Sequence, residues 1–141
     1  FAGMGGTLIV DILKGAEWIK DRSKRYIFQP MSRSEDVREY LTENGFVIIR
    51  EDACFDECRP YIAFCARFSP EEQTPQRESY KFIGELYKCK NEAAAYYFTK
   101  KYLYLKERAD ALERANLLPE EVRMIKAVLP DIYPLTRRVE Q

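Results

Sequence analysis

The sequence predicts an α/β fold for residues 1–68, followed by an all-α helical or coiled-coil domain in residues 69–141. Phe1 and a glycine turn at positions 3–6 precede a stretch in which apolar residues recur at helical spacing. Strand and helix patterns then alternate through the first half, which is typical of an α/β sheet. In the second half, apolar residues recur at heptad-like spacing from position 95. These three patterns define the fold class.

The first elements are a strand end, a helix and a second strand. Phe1 precedes the glycine turn, so we expect it to end a strand whose earlier residues are missing, and we interpret the chain as a fragment. Apolar residues at helical spacing predict a helix over residues 7–19. The aromatic and apolar run at 25–30 stops at a proline and predicts a strand.

A helix and a β-hairpin complete the predicted sheet. Ser32 and Glu35 form a capping-box pattern that predicts the start of a helix, which Asn44-Gly45 would end. The apolar run from Phe46 to about Asp52 predicts the next strand, and residues 61–68 predict the last one. The short polar connection between them favours an antiparallel pair.

The second half is predicted to be helical. Ser69–Pro75 is a polar, proline-marked linker. The apolar positions Tyr80, Ile83, Leu86 and Tyr87 predict that a helix of roughly three to four turns follows the linker. The heptad-like seam predicts a long helix from Asn91 to Ala115 in a helical hairpin or short coiled coil. Pro119 would open a last helix through about Leu129, with an extended tail after it. The seam consists of Ala95, Phe98, Tyr102, Leu105, Ala109 and Leu112.

Composition excludes several functional classes. Lys and Arg number 23 and so do Asp and Glu, which excludes a strongly basic, histone-like nucleic-acid binder. The sequence has no histidine, which excludes histidine triads, histidine-ligated zinc and imidazole base catalysis. Cys54, Cys58 and Cys65 lack an evident fourth ligand, so we expect no metal site. Apolar runs are too short for a membrane span, and no signal peptide is visible, so we expect a cytoplasmic protein.

The carboxyl edge of the predicted sheet carries the candidate site. Glycines at positions 3–6 would let a ligand approach the backbone after the first strand, although a tight turn without a ligand fits equally well. Gln29-Pro30 ends the next strand at the same edge. The Gln29 amide has hydrogen-bonding groups for a base or cofactor, but a merely strand-terminal polar residue also fits.

The helical segment from Arg77 to Arg114 holds nine basic and six acidic residues, interleaved with tyrosines. Such a face fits phosphate contacts to a structured RNA. An ordinary solvated helix face whose aromatic residues pack the hairpin is the alternative. The lysines proposed for RNA are Lys88, Lys90, Lys100 and Lys101.

Several motifs occur together in the order typical of one family. The first is Phe1-Ala2-Gly3-Met4-Gly5-Gly6-Thr7-Leu8-Ile9, followed by Ile27-Phe28-Gln29-Pro30 and then Leu41-Thr42-Glu43-Asn44-Gly45-Phe46. Shorter matches are Phe82-Ile83-Gly84 and Tyr102-Leu103. On these residues the sequence resembles the bacterial tRNA (adenine-N1)-methyltransferase family that acts on adenine 22 of tRNA.

The resemblance covers residues 1 to about 115 and implies the carboxyl-terminal half of a class I, Rossmann-like methyltransferase sheet, with a helical domain that helps to grip tRNA. It implies S-adenosyl-L-methionine as cofactor, bordered by Ala2, Gly3, Met4, Gly5 and Gly6. Gln29, as the candidate catalytic residue, and Pro30 would lie near the target base, and the four lysines would contact tRNA phosphates.

The fragment is expected to be inactive alone and to form a homodimer through an exposed sheet edge or the helical hairpin. Two alternatives remain open at this stage. One is a stand-alone module that binds a protein partner through the hairpin, and the other is a related methyltransferase with a different nucleic-acid target.

Overall fold

A four-stranded mixed sheet with helices packed on one face forms the first half of the chain, and a helical hairpin forms most of the second. The computed structural model describes residues 1–72 and 77–136. Three short 3₁₀ turns lie at Glu17–Ile19, Leu86–Lys88 and Tyr133–Leu135. The strands and helices are β1 (Ala2–Met4), α1 (Gly6–Lys14), β2 (Arg25–Pro30), α2 (Ser34–Glu43), β3 (Phe46–Asp56), β4 (Arg59–Phe68), α3 (Tyr80–Ile83), α4 (Glu92–Arg114) and α5 (Pro119–Ile132).

The sheet has the strand order β1-β2-β4-β3. β1 and β2 are parallel, whereas β4 is antiparallel to both of its neighbours. A two-residue turn at Glu57 and Cys58, both with positive φ, joins β3 to β4. The last strand in sequence therefore lies inside the sheet, between β2 and β3.

The first core lies between this sheet and helices α1 and α2. Phe28 and Phe64 are cross-strand partners whose rings stack, with centroids 5.6 Å apart. Ile9 from α1 and Leu41 from α2 cover this face and are fully buried. The alternating burial of β2 shows that its other face is left open, since Ile27 is 65% exposed.

The second core lies between α4, α5 and the far end of the β3–β4 hairpin. Ala53 and Ile62, which pair across the hairpin, are buried together with Phe98 of α4 and Ile125 of α5. Because Ile62 and Phe64 are two residues apart on β4, α4 packs on the same sheet face as α1 and α2. The hairpin thus contributes to both cores.

The strands predicted at residues 25–30, 46–52 and 61–68, the antiparallel pair and the long helix are confirmed, whereas the strand expected to end at Phe1 runs over Ala2–Met4, into the glycine motif. The hairpin strands are longer than predicted, since β3 runs to Asp56 and β4 starts at Arg59. Asn91 caps α4 through its side chain, which accepts a hydrogen bond from the Ala94 amide at 2.9 Å. Gly45 ends the preceding helix region with a φ of +85°, as the Asn44-Gly45 pattern predicts.

The capping-box prediction is wrong. α2 begins at Ser34, and Arg33 precedes it with left-handed backbone and no side-chain cap. The Ser32 carbonyl instead accepts a hydrogen bond from the Gly6 amide at 2.7 Å. This hydrogen bond holds the loop before α2 against the start of α1, and α2 begins only after it, at Ser34. The first helix is also shorter than predicted, since α1 ends at Lys14.

Two predictions for the second half are also wrong. The helix expected over residues 80–87 is interrupted at Gly84, whose φ is +55°. The tail expected to be extended is helical as far as it is described. α5 passes through Pro130 to Ile132, which is fully buried, and Tyr133 packs on the ring of Tyr102. This packing outweighs the helix-breaking tendency of the proline. Residues 137–141 and linker residues 73–76 lie outside the described residues.

Candidate functional site

The carboxyl ends of β1 and β2 lie side by side. Ala2 pairs with Gln29 and Met4 with Pro30. The Gln29 amide donates to the Phe1 carbonyl at 2.8 Å, and the Met31 amide donates to the Met4 carbonyl at the same distance. The two sequence-predicted motifs therefore form one edge of the sheet.

The glycines of the first motif have different surroundings. Gly3 has a φ of +73°, and a Cβ placed on it would have no atom within 4 Å. Its backbone is therefore open to an approaching molecule. At Gly6 a Cβ would overlap the carbonyls of Arg33 and Ser32. Gly6 allows the two loops to touch, whereas Gly3 leaves space beside the strand end.

Gln29 and Pro30 face opposite sides of the sheet. Pro30 is buried on the core face with Phe28, and Gln29 is half-buried on the open face with Ile27. No hydrogen bond from the Gln29 side chain to another described residue is present. The side-chain amide of Gln29 therefore lies at the strand end with its donor and acceptor groups available.

A cleft of about 390 Å³ begins at Pro30 and extends between the loop before α2, the start of β4 and the middle of α4. Arg33, Arg59, Lys100 and Lys101 line it. Two of the four lysines predicted to contact RNA therefore lie in one cleft with Pro30. Sequence reasoning missed Arg59, because it directly follows the polar hairpin turn, outside the strand predicted from residue 61, and belongs to no motif.

The other two predicted lysines lie elsewhere. Lys88 contacts Glu85 at 3.1 Å and lines a small depression beside β3. Lys90 is exposed just before α4. Neither residue lines the cleft.

The cleft lysines differ in their partners. Lys101 is largely buried, lies over the ring of Tyr97 and forms an ion pair with Glu35 at 3.2 Å. Lys100 lies over the ring of Tyr96, 5.3 Å from its centroid. Tyr96 in turn packs edge-on against Phe55 of β3. The aromatic residues of α4 thus pack the fold and also hold the two lysines at the cleft.

Beneath the cleft lies a buried polar network centred on Arg38. Its guanidinium pairs with Glu51, Nη2 to Oε1 at 2.8 Å, and both side chains are 0% exposed. Arg38 Nη1 also approaches the Ser34 hydroxyl, which forms a hydrogen bond with the hydroxyl of Tyr97. Burial disfavours the charged guanidinium, but the Glu51 and Tyr97 oxygens outweigh this effect and raise the pKa of Arg38 above its ordinary value. The pattern of α2 gave no sign that an arginine beside Val37 would be buried.

The same network attaches the segment before α4. Arg38 Nη1 donates to the carbonyls of Lys81 and Phe82 at 3.0 and 3.3 Å. The Glu85 amide donates to Glu51 Oε2 at 2.7 Å. A Cβ on Gly84 would overlap both charged groups, so glycine is required at this close approach.

Residues 1–72 and 77–136 contain no group of three His, Cys, Asp or Glu side chains arranged to hold a metal ion. Within the same ranges, no helix is long and apolar enough to cross a membrane.

Comparison with known proteins identifies the family. The family model described as tRNA (adenine(22)-N(1))-methyltransferase matches residues 1–129, which is nearly the whole chain. This chain belongs to that family. The match extends past residue 115, where the sequence resemblance ended, into α5. No curated protein matched the sequence.

Solved structures support the fold. A Streptococcus pneumoniae protein described as a candidate tRNA (m1A22) methyltransferase, in complex with S-adenosyl-L-methionine, is 29% identical with a TM-score of 0.68. The alignment covers 91% of this chain and 57% of that one. The Bacillus subtilis m1A22 tRNA methyltransferase is 20% identical with a TM-score of 0.72, covering 98% of this chain and 61% of that one. The Rossmann-like fold is thus shown, and the chain spans about three fifths of each relative.

Proposed function

We propose that the protein to which this chain belongs is an S-adenosyl-L-methionine-dependent methyltransferase acting on N1 of adenine 22 in tRNA. The observation that carries this proposal is the contact between the family's glycine motif and Gln29-Pro30 at one sheet edge. In open α/β sheets, ligands bind outside the carboxyl ends of the strands. Because the substrate is tRNA, the proposal places the protein in the cytoplasm.

The end of β1 and the turn after it fit one border of a cofactor site. Gly3 has open space where a side chain would be, and residues 2–4 end at the sheet edge. In the proposal, Ala2, Gly3, Met4, Gly5 and Gly6 border the cofactor, the glycines through their backbone. When bound, S-adenosyl-L-methionine supplies an electrophilic methyl group.

The reaction requires positioning more than proton transfer. Adenine N1 carries a lone pair at neutral pH, so no general base is needed to create the nucleophile. The absence of histidine is therefore compatible with the chemistry. Gln29 would hold the adenine edge through its side-chain amide, which offers both donor and acceptor, and Pro30, with its fixed φ, would keep the strand end that carries Gln29 in place near the base.

We also propose that residues 1–141 alone do not transfer the methyl group. The chain spans 57% of the relative that contains the cofactor. The described residues provide one edge of the site, the turn after β1 and the end of β2. The remaining contacts would come from residues outside this chain.

The test uses the whole product of the gene that encodes this chain. It is incubated with radiolabelled S-adenosyl-L-methionine and two tRNA transcripts, one with adenine at position 22 and one with guanine there. We expect 1-methyladenosine, identified by mass spectrometry of the digested tRNA, only with the first transcript. Gln29→Ala is expected to lower kcat by about 10- to 100-fold, consistent with the loss of one orienting contact.

Each proposal has an outcome that contradicts it. Methylation of both transcripts at another position would favour a different nucleic-acid target. No methylation by the whole product would leave a protein-binding module as the better explanation. Methyl transfer by residues 1–141 alone would contradict only the proposed inactivity.

We further propose that residues 1–141, when isolated, form a homodimer through the sheet. Among the described residues, β1 is an edge strand, and the open face carries the exposed Ile27. Leu8 and Trp18, exposed at 51% and 59%, add further apolar surface. Sedimentation equilibrium should give twice the monomer mass, and a monomer with a two-state melt would contradict this.

A further inference from the structure

Two of the four cations in the cleft at Pro30 have no carboxylate partner among the described residues. Arg33 forms an ion pair with Asp36 at 2.6 Å, and Lys101 pairs with Glu35. Arg59 and Lys100 have no such pair in residues 1–72 and 77–136. The cleft therefore contains two positive charges available to an anion.

The fold holds both cations in defined positions. Arg59 is the first residue of β4, directly after the two-residue turn, and its backbone lies opposite that of Asp56 in the hairpin. Lys100 is near the middle of the 23-residue helix α4, over the ring of Tyr96. Neither residue is on a long loop, so the separation of their backbones is fixed by the sheet and the helix packed on it.

The shape and location of the cleft suit part of a nucleic-acid chain. Its volume of about 390 Å³ lies within the range of small-molecule sites, roughly 300–1,000 Å³. The rings of Tyr61 and Tyr97 form part of its wall. It starts at Pro30, at the same strand end as Gln29 but on the opposite face of the sheet, so an RNA whose base lies at Gln29 must pass around the end of β2 to enter the cleft.

We propose that Arg59 and Lys100 bind the phosphodiester backbone of the substrate RNA in this cleft, at the strand end that carries Gln29. This inference rests on the proposed function, because it takes tRNA as the ligand and Gln29 as the residue near the target base. Guanidinium and ammonium groups are the usual partners of phosphate oxygens. Such contacts fix the register of the RNA without reading its sequence.

The test measures binding of a tRNA transcript with adenine at position 22 to residues 1–141 over a range of salt concentrations. The variants are Arg59→Gln, Lys100→Gln and their combination. Arg25→Gln is the matched control, because Arg25 is also an exposed arginine without an ion pair among the described residues, at the opposite end of β2. Thermal melts establish that each variant is folded.

Each cleft variant is expected to lower the slope of log K against log salt by about 0.7–0.9, the value for one lost phosphate contact. Over the tenfold range from 1 M to 0.1 M salt, this loss of slope makes binding at 0.1 M about five- to eightfold weaker than that of the parent chain. The double variant should lose both increments, whereas Arg25→Gln should bind as the parent chain does. The same two variants in the whole gene product should raise KM for tRNA and leave kcat for methylation nearly unchanged.

Equal loss in Arg25→Gln and Arg59→Gln would overturn the inference, since it would show a diffuse charge effect. Unchanged slopes in the cleft variants would also overturn it, while methylation of adenine 22 by the whole product would leave the proposed function intact. Absence of methylation together with loss of tRNA binding in the cleft variants would instead contradict the proposed function and retain an RNA site.

Discussion

Two arginine–glutamate pairs join different parts of this molecule, and they differ in their access to water. Arg38 and Glu51 are fully buried where α2, β3 and the segment before α4 meet. Arg108 and Glu121 connect α4 to α5 with side chains 40% and 29% exposed. The same chemical groups therefore act in two very different environments.

The buried pair fixes how the helical part packs on the sheet, whereas the exposed pair contributes little to the contact between α4 and α5. Removing charges from water costs several kcal/mol per ion, so a buried pair is tolerated only when its remaining groups are hydrogen-bonded. Here the Lys81 and Phe82 carbonyls and the Glu85 amide complete those bonds. These contacts attach the helical part to the sheet. When an exposed pair breaks, water solvates the two separated charges, so little stability is lost.

Arg38→Met is expected to have the largest effect. It leaves the Glu51 carboxylate buried without its counter-ion, which costs about 3–5 kcal/mol of unfolding free energy. Urea denaturation followed by circular dichroism measures this loss. The double variant Arg38→Met with Glu51→Leu should recover a large part of it, because the unpaired charge is also removed. A single variant as stable as the parent chain would contradict this account.

Gly84→Ala is expected to be the next largest. Its Cβ would overlap the Arg38 and Glu51 side chains, and its φ of +55° is unfavourable for alanine. Overpacking and backbone strain together should cost about 2–4 kcal/mol. Gly15→Ala is the matched control, since its nearest atom would be 3.9 Å away and its φ is negative. Equal losses in the two variants would show that the ion pair does not require glycine.

Tyr97→Phe tests the outer end of the buried network. It removes the hydroxyl that bonds to Ser34 and keeps the ring under Lys101. The loss should be about 0.5–1.5 kcal/mol, the usual net value of one hydrogen bond. Thr99→Val is a useful comparison, because the Thr99 hydroxyl bonds to two backbone carbonyls and, in residues 1–72 and 77–136, to no side chain. A loss in Tyr97→Phe as large as in Arg38→Met would show that the hydroxyl is essential to the buried pair.

This contrast also explains which features could be predicted from the sequence. The helical hairpin of α4 and α5 is specified by local sequence patterns, so the heptad seam and Asn91 predict α4 almost to the residue. In the buried network, the contacts of Arg38 with Glu51 and Phe82 span 13 and 44 residues and the Ser34–Tyr97 contact spans 63, so no local pattern predicts them. The capping-box prediction at Ser32 fails for the same reason, because the conformation of this loop depends on a hydrogen bond from Gly6, which is distant in sequence.

The candidate site shows the same division. The glycine turn and Gln29-Pro30 are contiguous motifs at strand ends, so sequence alone predicts that they share an edge. Whether a lysine faces the cleft depends on how α4 crosses the β3–β4 hairpin. That crossing brings Lys100 and Arg59 to one cleft and leaves Lys88 and Lys90 outside it.

The smallest expected effect belongs to the exposed pair and depends on pH. The hydrogen bond from Arg108 lowers the pKa of Glu121 below its ordinary value of 4.5. A carboxylate with a lowered native-state pKa contributes stability above its unfolded-state pKa, and that stability is lost as the pH falls through the lower, folded value. In Glu121→Gln the melting temperature should therefore fall slightly at pH 7 and converge with that of the parent chain toward pH 3. Because the pair is exposed, added salt should shrink the difference at pH 7, whereas it should leave the loss in Arg38→Met nearly unchanged. A salt-insensitive difference in Glu121→Gln would show that the two pairs act alike despite their different exposure.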